Sequence, residues 1–169
     1  GLMVVAKSLI AHAHLVAQLQ ERTVSREYEA VVNGVMTGGG KVDEPIGRHP
    51  SQRIKMAVNS TGKEAITHYR LLKKYRVHTH ISLKLETGRT HQIRVHMSHK
   101  RYPLVGDLVY GGRLRLPKGA SEAFRDFLQS FKRQALHARR LGLIHPVTEE
   151  YMEWEVDLPA DFLALLNWL

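Results

Sequence analysis

The sequence predicts an α+β fold in which a mostly antiparallel mixed sheet is flanked by helices. Segments in which apolar and polar residues alternate outnumber segments with helical spacing. Short turns rich in Gly, Pro or Asn join these segments, which favours antiparallel neighbours. The chain has 169 residues, of which 43% are hydrophobic and 24% charged. This length and composition are typical of one globular domain with a real core.

The elements follow in order from these patterns. The predicted strands are the alternating segments 2–6, 26–35, 54–58, 65–71, 80–85, 136–143 and 151–156. The predicted helices begin at caps or at apolar residues with helical spacing, and span 8–21, a short stretch after Thr90, 121–131 and the residues from 161 onward. Segments 43–53 and 102–119 are rich in Gly, Pro and Arg and are predicted to be loops.

The charge of the chain indicates its class of partner. Its 25 Lys and Arg against 16 Asp and Glu give a net charge of +9. Such an excess favours a polyanion, most commonly nucleic acid, although solubility alone would also explain it. The sequence has no apolar run of membrane-spanning length, no recognisable signal peptide and no cysteine. We therefore expect a cytoplasmic protein without disulfides or membrane contact.

The segment 85–96 carries a dense set of polar and basic residues. The strand before it ends near Gly88, and glycine permits backbone angles that other residues avoid. Thr90 is the expected N-cap of the following helix, whose first amide groups favour anions. Arg89 and Arg94 add full positive charges. A solvated basic turn would share the charge, but the density of Arg, His, Thr and Gln predicts a wall that faces phosphate.

Several motifs make the chain similar to the pseudouridine synthases that modify ribosomal RNA. In chain order they are Arg26-Glu27-Tyr28, Pro45-Ile46-Gly47-Arg48-His49-Pro50, the run from Glu86 to His96, Pro103-Leu104-Val105-Gly106-Asp107, Tyr110-Gly111 and Leu136-His137-Ala138. The resemblance covers nearly the whole chain. It implies the pseudouridine synthase fold and the isomerisation of specific uridines in large-subunit (23S) ribosomal RNA. It also implies that the reaction uses neither a metal nor an organic cofactor.

The resemblance assigns catalytic roles to Tyr28 and Arg94. From the residues alone, Tyr28 is an ordinary core tyrosine on a strand face, and Arg94 is a cation on a helix surface. In the family, the tyrosine of the matching motif stacks on the target base and takes part in proton transfer from the rearranged base. The arginine of Gln-Ile-Arg pairs with the catalytic aspartate and orients it, since a buried charge needs a partner.

Other basic residues are expected to contact RNA. They are Arg48, His49, Arg53, Arg89, His91, His96 and Arg113. Those in the loop 43–53 are expected to bind the RNA backbone rather than to read bases. Those beside Arg94 are expected to reach phosphates or the flipped nucleotide, although ordinary turn and helix polarity explains them equally well. The loop that contains Arg113 is also expected to touch backbone alone.

The resemblance places the catalytic aspartate upstream of Gly1. In the family, this aspartate belongs to a His-Arg-Leu-Asp-type motif just before a Gly-Leu segment, and here Gly1-Leu2 is the first such segment. Asp107 is a possible substitute nucleophile, but a loop aspartate beside a glycine more often forms a turn. We therefore expect residues 1–169 to be the C-terminal part of one catalytic domain. We also expect no separate RNA-binding domain in this chain, and no activity from it alone.

Two other functions remain open from the sequence. The same domain without a nucleophile would be a non-catalytic RNA-binding module. A basic, metal-dependent nuclease is the other alternative, with His78 and His80 on one strand face as possible ligands. No acidic cluster or His-Glu-x-x-His motif accompanies them, so we expect no metal site. The expected partner is large-subunit ribosomal RNA or its precursor, bound by a monomer.

Overall fold

The computed structural model describes residues 1–112 and 114–169. Its strands are β1 (Ser25–Asn33), β2 (Gly40–Asp43), β3 (Ile46–Arg48), β4 (Met56–Val58), β5 (Ile66–Lys74), β6 (His78–Leu85), β7 (Leu136–Ile144) and β8 (Tyr151–Glu155). Its helices are α1 (Leu9–Gln20), α2 (Gln92–His99), α3 (Glu122–Ser130) and α4 (Ala160–Trp168).

Six strands form one sheet in the order β2-β5-β6-β1-β7-β8. Every neighbouring pair in this sheet is antiparallel. The strands β3 and β4 form a separate antiparallel hairpin. The predicted α+β fold with a mostly antiparallel sheet and flanking helices is therefore confirmed. Strand β1 lies at the centre of the large sheet, between β6 and β7, so its side chains face the interior on both sides.

Alternation along β1 divides the core between the two faces of the sheet. Ala30 and Val32 belong to a buried cluster that includes Ile93 and Met97 of α2. Val31 points the other way, into a cluster built from α3 and α4 around the fully buried Phe162. Helix α2 therefore covers one face, and α3 and α4 cover the other. Tyr28 packs against the cluster on the α2 face.

Several predicted elements formed with the expected bounds to within a few residues. Ser8 caps α1 by accepting a hydrogen bond from the amide of Ala11, and Ser121 caps α3 in the same way through Phe124. The apolar spacing in α3 and α4 is confirmed because Phe124, Leu128 and Phe162 are buried. Helix α3 formed as predicted because its capping serine and the spacing of its apolar residues indicate the same helix.

Two predictions about strands were wrong. Segment 2–6 is extended but belongs to no strand, and its recorded backbone bond to the sheet runs from the Leu2 amide to the Ala138 carbonyl. Segment 43–53, predicted as a loop, contains β3, and its first residue is the last residue of β2. Both β2 and β3 are too short for an alternating pattern, and each forms because a neighbouring strand pairs with it.

Candidate active site

Tyr28 lies on the central strand, with β6 on one side and β7 on the other. It pairs with Leu83 of β6 and Ala138 of β7. The register with β7 shifts beside Tyr28, so that Arg139 is the additional residue of a bulge. Such bulges redirect neighbouring side chains. Burial raises the pKa of the Tyr28 phenol, against a smaller opposing effect of the Arg26 charge, so the hydroxyl keeps its proton at neutral pH.

The turn between β6 and α2 is braced by two polar side chains. Thr87 accepts a hydrogen bond from the amide of Ile66 (2.8 Å) and donates one to Gln92 Oε1 (2.9 Å). Gln92 Oε1 also accepts from the amide of Arg89, at 2.9 Å. Its Nε2 donates to the carbonyl of Ile66 and to Thr67 Oγ1, both at 3.0 Å. Gln92 is therefore buried and fully bonded, and it fixes where α2 begins.

Two details of this turn differ from the prediction. The residue before α2 is His91, in the left-handed region with φ of 57°, and its side chain makes no capping bond. Thr90 is therefore not the N-cap. Gly88 has no left-handed backbone angle; instead, a Cβ at this position would collide with the guanidinium of Arg26. The glycine here leaves space for the Arg26 guanidinium rather than supplying a left-handed backbone angle.

Arg94 is held by a carboxylate that the prediction had not paired with it. Its Nε and Nη2 donate to the two carboxylate oxygens of Asp107, at 2.7 and 2.9 Å. The Arg94 side chain is 11% exposed and that of Asp107 is 0% exposed. Such a two-point contact fixes the plane of the guanidinium as well as its position. Asp107 also accepts from the amides of Val109 and Tyr110, both at 2.9 Å, as expected for a turn former.

Electrostatics in this pair favour two charged partners. Burial alone would raise the pKa of Asp107, but the hydrogen bonds from Arg94 and from the Tyr110 and Val109 amides outweigh it, so the pKa lies below its usual value. The Arg94 pKa is raised, chiefly by the hydrogen bonds to Asp107. Asp107 is therefore an ionised, fully bonded carboxylate that positions Arg94, and it is poorly placed to attack a substrate.

Tyr110 closes the other side of Arg94. The guanidinium carbon of Arg94 lies 4.8 Å from the centre of the Tyr110 ring. The Tyr110 hydroxyl accepts from the amide of Met56 at 2.9 Å and is hydrogen-bonded to His91 Nδ1 at 3.0 Å. Partial burial, followed by the charge of Arg94, lowers the pKa of His91. Tyr110 is thus engaged in supporting Arg94.

His96 does not lie at the surface. It is fully buried, with Nε2 donating to the carbonyl of Glu44 at 2.9 Å and Nδ1 lying 2.9 Å from Thr67 Oγ1. Burial lowers its pKa, so it is neutral. The expectation that His96 contacts RNA is therefore corrected. At helical spacing, His96 falls on the inward face of α2, beside Met97, and ties this helix to the segment after β2.

The other expected RNA contacts divide into two groups. Arg48 and Arg89, from distant parts of the sequence, line one cavity of about 450 Å³ together with Lys63. His49 lines a second cavity, of about 490 Å³, which Tyr110 also borders. Arg53 is exposed in the β3–β4 hairpin, and its carbonyl accepts a bond from Arg48 at 3.2 Å.

The remaining predictions concern Arg113, a metal site and a membrane-spanning helix. Arg113, expected to contact RNA, lies outside the described residues. Residues 1–112 and 114–169 contain no group of three or more His, Cys, Asp or Glu arranged to hold a metal ion. In the same ranges, no helix is long and apolar enough to cross a membrane.

The sequence analysis did not foresee the contacts of three residues that shape this site. Asp107 and Tyr110 hold Arg94, and Arg26 fills the space above Gly88. The available signal was weak, because an Arg-to-Asp contact across thirteen residues has no periodic signature. For Arg26, the available signal was Gly88. A glycine in a turn can indicate either a special backbone angle or the close approach of another group.

Comparisons with known proteins identify the family of the chain. Residues 1–99 match the family model described as RNA pseudouridylate synthase. The chain is 64% identical over 169 residues to "Ribosomal large subunit pseudouridine synthase D" of Pseudomonas aeruginosa, covering 100% of this chain and 53% of that protein. It is 60% identical over 167 residues to the protein of the same name from Escherichia coli, covering 99% of this chain and 51% of that protein. The chain thus spans about half the length of the curated relatives it matches.

Two solved human structures share the fold. "Human RNA Pseudouridylate Synthase Domain Containing 1" superposes with a TM-score of 0.69 at 27% identity, over 91% of this chain and 62% of that one. "Human RNA Pseudouridylate Synthase Domain Containing 4" gives a TM-score of 0.68 at 28% identity, over 93% of this chain and 67% of that one. The family model, the close relatives and the shared fold lead to one conclusion: this chain belongs to the RNA pseudouridylate synthase family.

Proposed function

We propose that the chain is the C-terminal part of an enzyme that isomerises uridines in large-subunit ribosomal RNA to pseudouridine. In this proposal, residues 1–169 belong to one catalytic domain, and Tyr28 and Arg94 contribute to its active site. Two of the relatives carry the name "Ribosomal large subunit pseudouridine synthase D" and are 64% and 60% identical. The family membership of the chain makes RNA the expected substrate.

The observation that carries the proposal is the way in which Arg94 is held. Asp107 engages Nε and Nη2, and no described residue accepts a hydrogen bond from Nη1. A guanidinium has five donors, so the clamp by Asp107 and Tyr110 leaves donors for a second carboxylate. The aspartate that the family resemblance places upstream of Gly1 would supply that carboxylate. Arg94 would then bridge two aspartates, one that positions it and one that reacts.

The location of Gly1 supports this arrangement. The amide of Leu2 donates to the carbonyl of Ala138 at 3.0 Å, and Ala138 pairs with Tyr28. A Cβ on Gly1 would collide with the Ala138 backbone, so Gly1 lies directly against β7. In a longer protein, the residues before Gly1 would therefore enter the fold beside Tyr28, where the family's aspartate is needed.

The chemistry follows from these roles. The uracil is detached from C1′ of its ribose, turned, and rejoined through C5, with the aspartate as nucleophile or general base. Tyr28 keeps its proton because burial raises its pKa, so it can stack on the base and take part in proton transfer. Extrusion of the base from its stack costs a few kcal/mol, which stacking and phosphate contacts offset. The proposed enzyme works as a cytoplasmic monomer, without metal or organic cofactor.

The remaining basic residues would hold the RNA backbone. The net charge is +9, and Arg48, Lys63 and Arg89 face a common cavity. Contacts of this kind position a nucleic acid without reading its sequence. We therefore expect the isolated chain to bind RNA with an affinity that falls as salt rises. Exposed Arg53 and His91 are further proposed contacts.

The test compares the isolated chain with a longer protein that includes the upstream aspartate motif. Both are incubated with unmodified large-subunit ribosomal RNA, and pseudouridines are mapped by carbodiimide treatment and primer extension. We expect product from the longer protein and none from residues 1–169 alone. The longer protein with Tyr28→Phe, which keeps the ring but not the hydroxyl, should react at least about a hundredfold more slowly.

Two results would contradict the proposal. If the longer protein formed no pseudouridine in any large-subunit RNA tested, the proposed function would be wrong. Turnover by the isolated chain that Asp107→Asn abolishes would make Asp107 the nucleophile, and the division of roles between the two aspartates would be wrong.

A further inference from the structure

A cavity of about 310 Å³ lies between the end of α1, the start of β1 and the β6–α2 turn. The residues that line it are Val16, Leu19, Gln20, Arg22, Arg26, Thr87, Gly88 and Arg89. Three arginines thus face one space: Arg22 from the α1–β1 turn, Arg26 from β1 and Arg89 from the β6–α2 turn. This concentration of cations was not evident from the sequence, where they are up to 67 residues apart.

The three arginines differ in how their charges are balanced. Arg22 forms ion pairs with Glu64 and, at 3.3 Å, with Glu86. No described carboxylate forms an ion pair with Arg26 or Arg89. Two uncompensated positive charges therefore border the cavity.

Arg26 is the more constrained of these two. Its Nη2 donates to the carbonyl of Glu86 at 3.2 Å, whereas its buried Nε has no partner among the described residues. Burial lowers the pKa of Arg26, and the nearby Arg89 charge lowers it further. A partly buried guanidinium next to a second cation is an unfavourable arrangement unless an anion binds beside them.

Arg89 has donors available on the same side. Its amide is bonded to Gln92 and its Nε donates to the carbonyl of Glu64 at 2.8 Å, which fixes the side chain over the turn. The Arg26 guanidinium packs against Gly88, the neighbour of Arg89 in this turn, so a side chain at position 88 would displace it. The absence of a side chain at Gly88 therefore lets Arg26 reach the turn that carries Arg89.

We propose that this cavity is a phosphate site, in which Arg26 and Arg89 together bind one phosphodiester of the RNA next to the target nucleotide. The inference rests on the proposed function for the identity of the RNA. Arg26 is two residues before Tyr28 on the same face of β1, so a phosphate here lies beside the nucleotide that Tyr28 contacts. Arg89 also borders the cavity of Arg48 and Lys63, where the RNA backbone continues.

The experiment is a double-variant cycle on the isolated chain, with binding to single-stranded RNA measured over a range of salt. Arg26→Gln and Arg89→Gln each lower affinity about tenfold, the expected loss of one charge-assisted contact. The double variant loses less than the product of the two effects, because both arginines hold the same phosphate. Its slope of log affinity against log salt is shallower by about 0.7, the value for one phosphate of single-stranded RNA.

A control variant separates this site from general charge. Arg125→Gln removes one positive charge from exposed α3, on the opposite face of the sheet. It leaves both affinity and slope nearly unchanged. The thermal unfolding midpoint of each variant confirms folding. If Arg26→Gln does not fold, the cycle uses Arg26→Met, which also removes the charge but keeps an unbranched side chain of similar length.

Three outcomes overturn the proposal. If the two substitutions reduce RNA affinity independently and the double variant's salt slope changes by about 1.4, the arginines bind two separate phosphates. An unchanged slope means that the arginines bind no phosphate. A slope change in the isolated chain that disappears in the longer protein means that a protein carboxylate fills the cavity. Pseudouridine mapping is a separate readout, so loss of the phosphate site and loss of the proposed function are distinguishable.

Discussion

At the scale of single residues, Arg94 is held on two sides before any substrate arrives. Asp107 fixes the plane of the guanidinium through two hydrogen bonds, and the Tyr110 ring lies against it. Asp107 is in turn fixed by the amides of Val109 and Tyr110. The role proposed for Arg94, to position a carboxylate, requires such support, since the rotamers of a free side chain would compete.

This arrangement predicts the effect of Asp107→Asn on stability. The change leaves the Arg94 charge largely buried without its counter-charge, while Asn still fits the turn. Breaking such a pair should lower the free energy of unfolding by about 3 kcal/mol, measured by urea titration. The control is Asp43→Asn, which disrupts an exposed pair with Lys41 and should have little effect. Equal stability of Asp107→Asn and the unmodified chain would show that the pair is not stabilising.

The residue scale also shows what the sequence could predict. The alternation that placed Tyr28 with Ala30 and Val32 on one strand face is confirmed, because a period of two is a local property. The burial of His96 and the pairing of Arg94 with Asp107 depend on how α2 packs against other segments. No local pattern contains that information.

At the scale of elements, α1 is attached to the sheet by one polar side chain. Gln18 Nε2 donates to the carbonyl of Ile144, and Gln18 Oε1 accepts from the amide of the same residue, both at 2.8 Å. Gln18 is the buried residue of this helix, whereas Leu9 and Ile10 are 87% and 77% exposed. The sequence predicted the bounds and the cap of α1. It did not indicate which face of the helix is buried, because apolar residues lie on nearly every side of α1.

The attachment of α1 predicts a loss of stability in Gln18→Ala. The variant leaves the amide and carbonyl of Ile144 without their partners, and each unsatisfied buried group costs about 1–3 kcal/mol. We expect the free energy of unfolding in urea to fall by about 2 kcal/mol or more. Gln20→Ala, at an exposed position two residues further on, is the matched control. If both variants unfold alike, α1 is held by something other than Gln18.

At the scale of the whole molecule, several histidines are buried in a basic protein. Burial lowers the pKa of His78 to about 4, and the positive charge of Arg115 acts in the same direction. Burial also lowers the pKa values of His80, His96 and His137. These imidazoles are therefore neutral in the folded protein at neutral pH. The net charge of +9 counts them as neutral and applies to the folded state.

This burial predicts that the fold loses stability in mild acid. The unfolded chain binds protons on histidine near pH 6.5, whereas folded His78 does so near pH 4. The unfolded state therefore holds more protons between these values, and stability falls as pH decreases from about 6.5 to 4. Urea titrations at successive pH values should show this decline, with a smaller slope in His78→Leu than in the control His12→Gln. A decline of equal slope in both variants would contradict the role of His78.

The central claim is that Arg94 acts in catalysis rather than in RNA affinity, and single-turnover kinetics test it most directly. The longer protein, with and without Arg94→Ala, is mixed in excess with large-subunit RNA, and pseudouridine formation is followed at saturating protein. The variant should bind RNA nearly as well but react at least about a hundredfold more slowly, because the catalytic aspartate loses its counter-charge and its orientation. Arg94→Lys should recover part of the rate, since it keeps the charge without the planar fork. An unchanged rate at saturation, with affinity alone reduced, would make Arg94 an RNA contact and contradict the account.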